Sequence, residues 1–255
     1  MKIYRYRHAG AVRWGVLRGE TLIPVKGAIF EDISLEEETV PLAAASLLAP
    51  VEPSKIVAVG RNYRDHAAEL GNPLPEEPLL FLKPSTALIG PGEAILYPPT
   101  SRRVDFEGEL AVVIRRRASR LAESETVEPY VLGCACFNDV TARDLQEKDK
   151  QFTRAKSFDT FAVLGPCIAV GLDSSNLEVR TFLNGKLRQS SNTRHLIFPV
   201  SFLVRFISNI MTLLPGDVIA TGTPAGVGPM VPGDRVDVQI EGIGTLSNEI
   251  QRRRT

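Results

Sequence analysis

The sequence lacks several features that would assign it to particular classes of protein. Its 255 residues include only three cysteines, three histidines and one tryptophan. Lysine plus arginine and aspartate plus glutamate are equal at 30 each, so there is no excess positive charge to attract nucleic acid or an anionic membrane. No run of about 18 apolar residues is present, so no membrane-spanning helix is predicted. We therefore expect neither nucleic acid nor a membrane as a partner.

The cysteines and the first residues bear on the cellular compartment. Cys134, Cys136 and Cys167 are odd in number and do not have the spacing of a zinc site. Residues 1–7 lack the apolar core of a secretory signal. Buried, free thiols fit a reducing environment. We therefore expect a cytoplasmic protein.

The composition that is present is that of an ordinary globular protein, with 44% hydrophobic and 24% charged residues. Short apolar runs separated by glycines predict a small β-rich domain over residues 1–50. The segment Pro50-Val51-Glu52-Pro53 is a stiff linker, which predicts a domain boundary there. Asn184-Gly185 predicts a β-hairpin. Helices are predicted at residues 42–48, 118–128 and 198–211.

The most informative stretch is Val104-Asp105-Phe106-Glu107-Gly108-Glu109-Leu110. In a single extended strand, Glu107 and Glu109 point to the same side, together with Asp105. The apolar residues that follow it, 111–114, indicate burial on both faces. Neighbouring buried carboxylates repel one another and need a compensating charge, which a hard divalent cation would supply. A half-exposed strand with solvated acids is the alternative at this point.

Asp139 is the candidate for a third carboxylate ligand. It follows a strand of small and apolar residues, 130–137, and precedes a segment in which Thr141 and Asp144 resemble a helix cap. Strand ends are where functional sites are commonly built. Three carboxylates without cysteine or histidine favour Mg²⁺ or Mn²⁺ over Zn²⁺. An octahedral ion held this way keeps about three positions free, and a 2-oxo acid could occupy two of them through its ketone and carboxylate.

A candidate catalytic base lies on a short helix predicted between Asn62 and Gly71. His66 and Glu69 are three residues apart and therefore face the same side of that helix. A carboxylate beside an imidazole orients it for general-base catalysis, although such pairs are also common on exposed helix surfaces. Lys156 lies in a polar loop, where it is either solvated or, beside a metal, able to hold a substrate carboxylate or an oxyanion.

The glycine-rich segment 221–228 allows a ligand to approach the backbone closely, and Thr223 offers a hydroxyl there. The segment lacks the Gly-Lys-Ser/Thr of a phosphate-binding loop, so nucleotide binding is not expected.

Six motifs in a specific order carry a family resemblance. They are Val59–Tyr63 with His66, Phe81–Pro84, Asp105–Glu109, Asn138–Asp144, Ala155–Asp159 and Thr221–Pro224. With them the sequence resembles the fumarylacetoacetate hydrolase family from about residue 54 to 250. The resemblance implies a mixed α+β, strand-dominated fold with a β-roll or barrel-like core, short helices and a small N-terminal β domain. It also implies a bound Mg²⁺ or Mn²⁺ ion and a homodimer.

The resemblance further implies roles for individual residues. The metal ligands are Glu107, Glu109 and Asp139. The catalytic residues are His66, which activates water, Glu69, which orients it, and Lys156, which helps to bind the substrate or the oxyanion. The substrate-binding residues are Arg61, Gln146 and Thr223. Asp105 is outside the matched ligand set, and we expect it to lie behind the ligands or at the surface.

The activity implied by the resemblance is metal-dependent chemistry on a 2-oxo acid. The leading hypothesis is hydrolytic cleavage of a C–C bond in an acylpyruvate, with a metal-stabilised enolate and water activated by His66. Decarboxylation of an oxaloacetate-type acid, or isomerisation of 2-hydroxyhepta-2,4-diene-1,7-dioate in aromatic catabolism, uses the same enolate chemistry and stays open. A binding protein that kept the fold and lost catalysis is the alternative from a different class.

Overall fold

A computed structural model describes residues 1–69 and 74–253 of the chain. In chain order the strands are β1 Lys2–His8, β2 Ala11–Arg18, β3 Thr21–Lys26, β4 Ser34–Leu35, β5 Val40–Pro41, β6 Ser46–Leu48, β7 Ile56–Gly60, β8 Leu79–Lys83, β9 Leu88–Ile89, β10 Ile95–Tyr97, β11 Val104–Phe106, β12 Gly108–Ile114, β13 Val131–Asp139, β14 Thr141–Ala142, β15 Ala162–Ala169, β16 Glu178–Leu183, β17 Lys186–Asn192, β18 Val218–Ala220, β19 Gly228–Met230, β20 Arg235–Ile240 and β21 Gly244–Arg252. The helices are α1 Arg64–Glu69, α2 Arg143–Asp149, α3 Thr153–Lys156 and α4 Val200–Ile210.

Thirteen of these strands form one large sheet. Its path is β4-β3-β2-β1-β15-β13-β12-β18-β7-β8, with β5, β6 and β9 paired to its side. A second sheet runs β10-β21-β20-β16-β17, and a third, small sheet runs β14-β11-β19. The predicted strand-dominated mixed fold is confirmed, with the large sheet an open path from β4 to β8 across the described residues.

The centre of the large sheet is buried on both faces. Along β12, Leu110, Val112 and Ile114 pack into one apolar cluster, which also contains residues of the second sheet such as Val238. Ala111 and the other alternate residues pack into a separate cluster on the opposite face. Since successive side chains of a strand point to opposite faces, the unbroken apolar sequence of β12 reflects this double burial, as predicted.

The first fifty residues share the large sheet with the rest of the chain. β1 pairs antiparallel with β15, so that Ile3 lies opposite Ile168. The division into a domain of residues 1–50 and a core of residues 54–250 stays a prediction, because strand pairing continues across it.

The helix predictions had mixed outcomes. α4 lies within the predicted range 198–211 and buries Leu203 and Ile207, which confirms it. The predicted helix at 42–48 is wrong, because a single 3₁₀ turn is followed by β6. The predicted helix at 118–128 is also wrong, since Ala118 exchanges two backbone hydrogen bonds with Leu213.

Two further outcomes concern helix length. The end of the His66 helix, predicted at Gly71, lies outside the described residues. None of the helices described in the two ranges is long and apolar enough to cross a membrane.

The acidic stretch is not the single strand that its sequence predicts. It divides at Glu107 into β11 and β12, which belong to different sheets. The break is held by side chains: the Glu107 N–H donates to Asn138 Oδ1 at 2.9 Å, and the Gly108 N–H donates to Gln189 Oε1 at 2.9 Å. A Cβ on Gly108 would lie 2.0 Å from the Thr181 hydroxyl oxygen, so only glycine fits at this position.

Candidate active site

Three buried carboxylates meet where β12 and β13 run side by side. Glu107, Glu109 and Asp139 each offer an oxygen, and these atoms all lie within 4.8 Å of one another. The backbone sets this spacing, since the Asp139 N–H donates to the Glu107 carbonyl at 2.9 Å. Asp139 is the last residue of β13. The helix-cap reading of Thr141 is wrong, because its hydroxyl donates to the Asp139 carbonyl at 2.8 Å.

Two of the three carboxylates have cationic partners. Lys156 donates to Glu107 and to Asp139, at 2.7 Å in each case. Arg143 also donates to Glu107, and the fully buried Lys83 donates to Asp139. Burial works to raise the pKa of Glu107, but the charges of Lys156 and Arg143 outweigh it and hold that pKa below its usual range. Glu107 is therefore ionised in the folded protein.

The pKa values of the two buried lysines are also set by the balance between burial and neighbouring charges. Burial works to lower the pKa of Lys156, but Asp139 and Glu107 outweigh it and raise that pKa. For Lys83 burial prevails and lowers the pKa of the ammonium, although Asp139 opposes it.

Glu109 differs from the other two carboxylates. Within residues 1–69 and 74–253 no lysine, arginine or histidine forms an ion pair with it, and it accepts one hydrogen bond, from the Gly222 N–H at 2.8 Å. Burial and the nearby charges of Asp139 and Glu107 raise the pKa of Glu109 well above its ordinary value. A buried carboxylate in this position needs a positive charge to stay ionised.

A divalent cation fits this site. The three ligands would be Glu107, Glu109 and Asp139, all of them hard oxygen donors of the kind that Mg²⁺ and Mn²⁺ prefer. Because each carboxylate oxygen has two lone pairs, the oxygens that accept from Lys156 keep one pair for a metal. The buried charge of Glu109 is what the cation would neutralise.

His66 is buried, and its Nδ1 is hydrogen-bonded to the carboxylate of Glu69. Its Nδ1 lies 3.1 Å from Glu69 Oε2, and Glu69 Oε1 in turn accepts the Gly226 N–H at 3.0 Å. An imidazole bonded through Nδ1 to a carboxylate leaves Nε2 as the nitrogen that can exchange a proton with a ligand. Only 4% of His66 is exposed, whereas Glu69 is exposed, so the imidazole of the pair is buried and its carboxylate partner reaches the surface.

One cavity of about 390 Å³ brings the predicted residues together. Its lining includes Arg61, His66, Glu107, Glu109, Asp139, Gln146, Lys156 and Thr223. Glu69 is outside the lining and lies behind His66. Phe81 and Phe152, whose rings meet edge to face with centroids 5.2 Å apart, form an apolar wall. The predicted residues other than Glu69 therefore share one cavity, and the roles assigned to them stay predictions.

The substrate-binding residues are partly engaged with the protein. The Thr223 hydroxyl donates to the Gly108 carbonyl at 2.9 Å and accepts from Gln189 Nε2 at 2.8 Å. The hydroxyl proton of Thr223 is therefore engaged with the backbone at Gly108, where the acidic stretch divides into two strands. Gln146 accepts from Arg143 at 2.5 Å, which leaves its NH₂ group for a ligand.

Sequence reasoning missed three residues that shape the site: Lys83, Arg143 and Gln189. Lys83 and Arg143 stand inside the motifs that carry the family resemblance, but burial of their charges cannot be seen from local pattern. Gln189 is fully buried in a strand whose neighbours are exposed. Its amide joins Gly108, Thr223 and the Pro224 carbonyl, and no feature of its sequence marks it.

Comparisons with known proteins agree with the resemblance. The family model described as fumarylacetoacetate (FAA) hydrolase, C-terminal, matches residues 55–251, and the model described as Rv2993c-like, N-terminal, matches residues 1–50. Fold, buried acidic cluster and family model together define the class: the chain belongs to the fumarylacetoacetate hydrolase family.

Two relatives show the range of that family. An uncharacterized protein of Archaeoglobus fulgidus is 61% identical over 82% of this chain and 83% of its own length. The mitochondrial oxaloacetate tautomerase FAHD2B of Bos taurus is 41% identical over 82% of this chain and 71% of its own length.

Two solved structures are similar over the whole chain. The 5-carboxymethyl-2-hydroxymuconate delta-isomerase of Mycobacterium smegmatis has a TM-score of 0.93 and 43% identity, covering 99% of this chain and 100% of its own. The maleylpyruvate hydrolase of Sphingobium sp. SYK-6, solved with manganese(II) and pyruvate, has a TM-score of 0.83 and 30% identity, covering 100% of both chains. Members similar to this chain are thus enzymes of several reaction types, and one holds a divalent metal.

Proposed function

We propose that this protein is a metal-dependent enzyme that hydrolyses a C–C bond of an acylpyruvate-type 2,4-dioxo acid. The observation that carries the proposal is the buried His66, which is joined to Glu69 at 3.1 Å and lines the same cavity as three carboxylates. A base that is oriented by a carboxylate and shielded from solvent suits proton removal from a confined water molecule.

The metal of the proposal is Mg²⁺ or Mn²⁺, held by Glu107, Glu109 and Asp139. When bound, such an ion acts as a Lewis acid toward the oxygens of a 2-oxo acid. The manganese and pyruvate in the maleylpyruvate hydrolase structure support this choice. Lys156, fixed between Glu107 and Asp139, adds a positive charge beside the oxygen that becomes negative.

The reaction follows from the positions of the protein's own groups. His66 Nε2 takes a proton from water, and the resulting hydroxide attacks the distal ketone of the substrate. The C–C bond between that carbon and the pyruvyl methylene then breaks, and its electron pair leaves as the enolate of pyruvate. Protonation of the enolate gives pyruvate, and the acyl part leaves as a carboxylic acid. Glu69 keeps the imidazole oriented throughout.

Tautomerisation of a 2-oxo diacid is the second candidate. The relative from Bos taurus, 41% identical, is named as an oxaloacetate tautomerase, and a single base such as His66 can move a proton between carbon and oxygen without activating water. Decarboxylation and diene isomerisation draw on the same ligand set and belong in the same test.

The test is a substrate panel of acylpyruvates, oxaloacetate and dienoic diacids, each assayed with Mg²⁺ and with EDTA. We expect pyruvate release from an acylpyruvate with Mg²⁺ only. His66→Ala should lower that rate by about 10²–10⁴-fold, the usual contribution of a general base, while Mn²⁺ and oxalate still bind in a calorimetric titration. Hydrolysis by His66→Ala at the wild-type rate would rule out the assigned role. Enol–keto exchange of oxaloacetate without acylpyruvate cleavage would favour the tautomerase.

The proposal also includes a homodimer, from the family resemblance, and a cytoplasmic location, for which the free thiols of Cys134, Cys136 and Cys167 are the support. Light scattering after gel filtration tests the first, and fractionation of the source cells tests the second.

A further inference from the structure

Gln189 is a buried amide on a strand whose other residues are largely exposed. It lies between the exposed residues Arg188 and Ser190 on β17, the last strand in the path of the second sheet, and its own exposure is 0%. An apolar side chain would fill such a position without the cost of removing an amide from water. Because buried polar groups are normally hydrogen-bonded, the partners of this amide indicate its role.

The side chain of Gln189 joins two segments that are distant in sequence. Its Oε1 accepts the Gly108 N–H at 2.9 Å, and its Nε2 donates to the Thr223 hydroxyl and to the Pro224 carbonyl, at 2.8 Å in each case. Turning the amide over would set its NH₂ group against the Gly108 N–H and its oxygen against the Pro224 carbonyl. The amide therefore has one orientation, in which both of its hydrogens are used.

The first of these segments carries two of the candidate metal ligands. Gly108 lies between Glu107 and Glu109, so the position of its backbone determines where both carboxylate side chains begin. Gln189 accepts the N–H of Gly108, and the Thr223 hydroxyl donates to the Gly108 carbonyl at 2.9 Å. The hydrogen bonds of Gln189 and its partner thus fix the backbone between the two ligands on both sides.

The second segment holds the partner of the candidate base. Its Gly226 N–H donates to Glu69 Oε1 at 3.0 Å, and Glu69 Oε2 lies 3.1 Å from His66 Nδ1. Gly226 also packs against the strand of Gln189, because a Cβ on it would lie 2.2 Å from the Arg188 carbonyl oxygen. Gln189 and its strand therefore fix the segment that orients the imidazole.

We propose that Gln189 is a positioning residue, which sets the His66 imidazole relative to the three buried carboxylates. A single amide fixes both the backbone between two of them and the segment that holds Glu69, although Gln189 is not among the described residues that line the cavity. A displacement of about 1 Å between reacting groups can cost 10²-fold in rate. The expected effect on rate rests on the proposed function, whereas the orientation of His66 is measured without any reaction.

A purely structural role for Gln189 is the alternative, and Asn248 provides the control for it. Asn248 is 3% exposed, and its Nδ2 donates to the carbonyls of Gly90 and Glu93, at 2.8 Å in each case. It is another buried amide that joins distant segments, and it is not part of the cavity lining. Gln189→Met and Asn248→Leu each remove an amide and keep a side chain of similar size, so both should lower the midpoint of urea unfolding.

The orientation of the imidazole is measured by NMR on the metal-free protein with ¹⁵N-labelled histidine, at a pH at which the ring is neutral. The ¹⁵N shifts report which ring nitrogen carries the proton, and the His66 signals are those that disappear in His66→Ala. We expect the proton on Nδ1, facing Glu69, in the wild type and in Asn248→Leu. In Gln189→Met we expect a mixture of the two tautomers, because the segment that holds Glu69 is released.

Kinetics in two backgrounds show whether Gln189 acts through His66. At saturating Mg²⁺, Gln189→Met should lower kcat for an acylpyruvate by about 10²-fold, with little change in KM. In the His66→Ala background the same substitution should cost less than about threefold, since there is then no base to position. Asn248→Leu should leave kcat within about twofold in both backgrounds, because its site is independent of the cavity.

Gly226→Ala is a second variant, which leaves Gln189 and the three carboxylates unchanged. Gly226 has φ +98°, and the added Cβ would meet the Arg188 carbonyl oxygen, so the N–H should move away from Glu69. We expect the same mixture of His66 tautomers as in Gln189→Met, together with the Mn²⁺ affinity of the wild type.

An unchanged His66 tautomer in Gln189→Met overturns the inference and leaves the proposed hydrolysis intact. If that variant does not fold, the same result in Gly226→Ala overturns it. A loss of kcat that is equal in the two backgrounds, or a mixture of tautomers already present in the wild type, overturns it as well. If the wild type cleaves no acylpyruvate, the proposed function fails, and the tautomer measurement still decides whether Gln189 positions His66.

Discussion

Asp105 and Glu109 lie four residues apart in the same acidic stretch, and both carboxylates are buried, yet the protein treats their charges differently. Asp105 accepts two hydrogen bonds from Arg103, at 2.9 and 3.1 Å, and one from Arg143 at 3.0 Å. Glu109 accepts a single backbone N–H, from Gly222, and no cation of the described chain pairs with it.

The difference separates a structural carboxylate from a ligand. A buried carboxylate that is paired with cations of the protein itself needs no external cation, and the ion pairs connect different segments of the chain. A buried carboxylate beside two others, without a cation of its own, stays ionised only if a positive charge arrives from outside. The two residues therefore predict opposite responses to neutralisation, in stability as well as in metal binding.

The largest effect is expected from Glu109→Gln. The amide keeps the size of the side chain and removes the charge, so Mn²⁺ affinity should fall below detection. Activity should fall by about 10³-fold, equivalent to several kcal/mol of lost Lewis-acid catalysis. A calorimetric Mn²⁺ titration measures the first and the acylpyruvate assay the second.

A matched control is Glu147→Gln, which neutralises an exposed carboxylate of the same cavity and should leave Mn²⁺ affinity within about twofold, since an exposed charge contributes little. Wild-type Mn²⁺ affinity in Glu109→Gln would remove this residue from the ligand set.

Asp105→Asn should show the reverse pattern. Neutralising it leaves the nearly buried Arg143 without one of its two carboxylate partners, and loss of one member of a buried pair costs about 3 kcal/mol of unfolding free energy. Mn²⁺ affinity should change far less than in Glu107→Gln. Urea unfolding in EDTA measures the stability, and a loss of Mn²⁺ binding as severe as that of Glu107→Gln would contradict the distinction between the two carboxylates.

The sequence predicted which carboxylates converge better than it predicted the backbone path of this stretch. The spacing of Glu107 and Glu109, with Asp139 at the end of a second apolar strand, pointed to a three-carboxylate cluster, and those carboxylates do converge. The spacing also placed Asp105 on the same face of one continuous strand. That expectation was wrong because the pairing partners that divide the stretch at Glu107 come from distant parts of the chain.

The other mismatches between the sequence predictions and the structure also arise from contacts between residues far apart in the chain. Gln189 lies 81 residues from Gly108, and its amide holds the break without any local signal. The segment 118–128 has a polar composition that suits a helix, but backbone pairing of Ala118 with Leu213 takes its place. Local patterns with clear periodicity, such as α4 and the Asn184-Gly185 hairpin, were predicted correctly because their own residues specify them.

A smaller effect is expected in the pH dependence of the metal-free protein. Because the pKa of Glu109 is raised in the folded state, the folded protein retains that proton to higher pH than the unfolded chain does. The associated stability is fully present below the ordinary glutamate pKa of about 4.3 and is lost as the pH rises through the raised value. In EDTA, the stability of Glu109→Gln relative to wild type should therefore increase with pH and then level off.

Unfolding midpoints of the two proteins across pH 4.5–8 measure this difference. Saturating Mn²⁺ should reverse this difference and make the wild type the more stable protein, because the ion binds only the protein that has the carboxylate. At a hundred times its dissociation constant, the ion stabilises that protein by about 2.7 kcal/mol. A difference that is constant with pH in EDTA would mean that Glu109 does not carry the uncompensated charge.

The smallest effect is expected from Arg103→Met. Half of the Arg103 side chain is exposed, whereas the Arg143 side chain on the other flank of Asp105 is almost fully buried. Water already screens the Arg103 charge, so its removal should cost less than about 1 kcal/mol of unfolding free energy, and the apolar stem of methionine preserves the packing. Mn²⁺ affinity should not change. Urea unfolding of Arg103→Met and Asp105→Asn measures the two losses of unfolding free energy. Equal losses would show that Arg143 alone does not compensate the charge of the buried carboxylate.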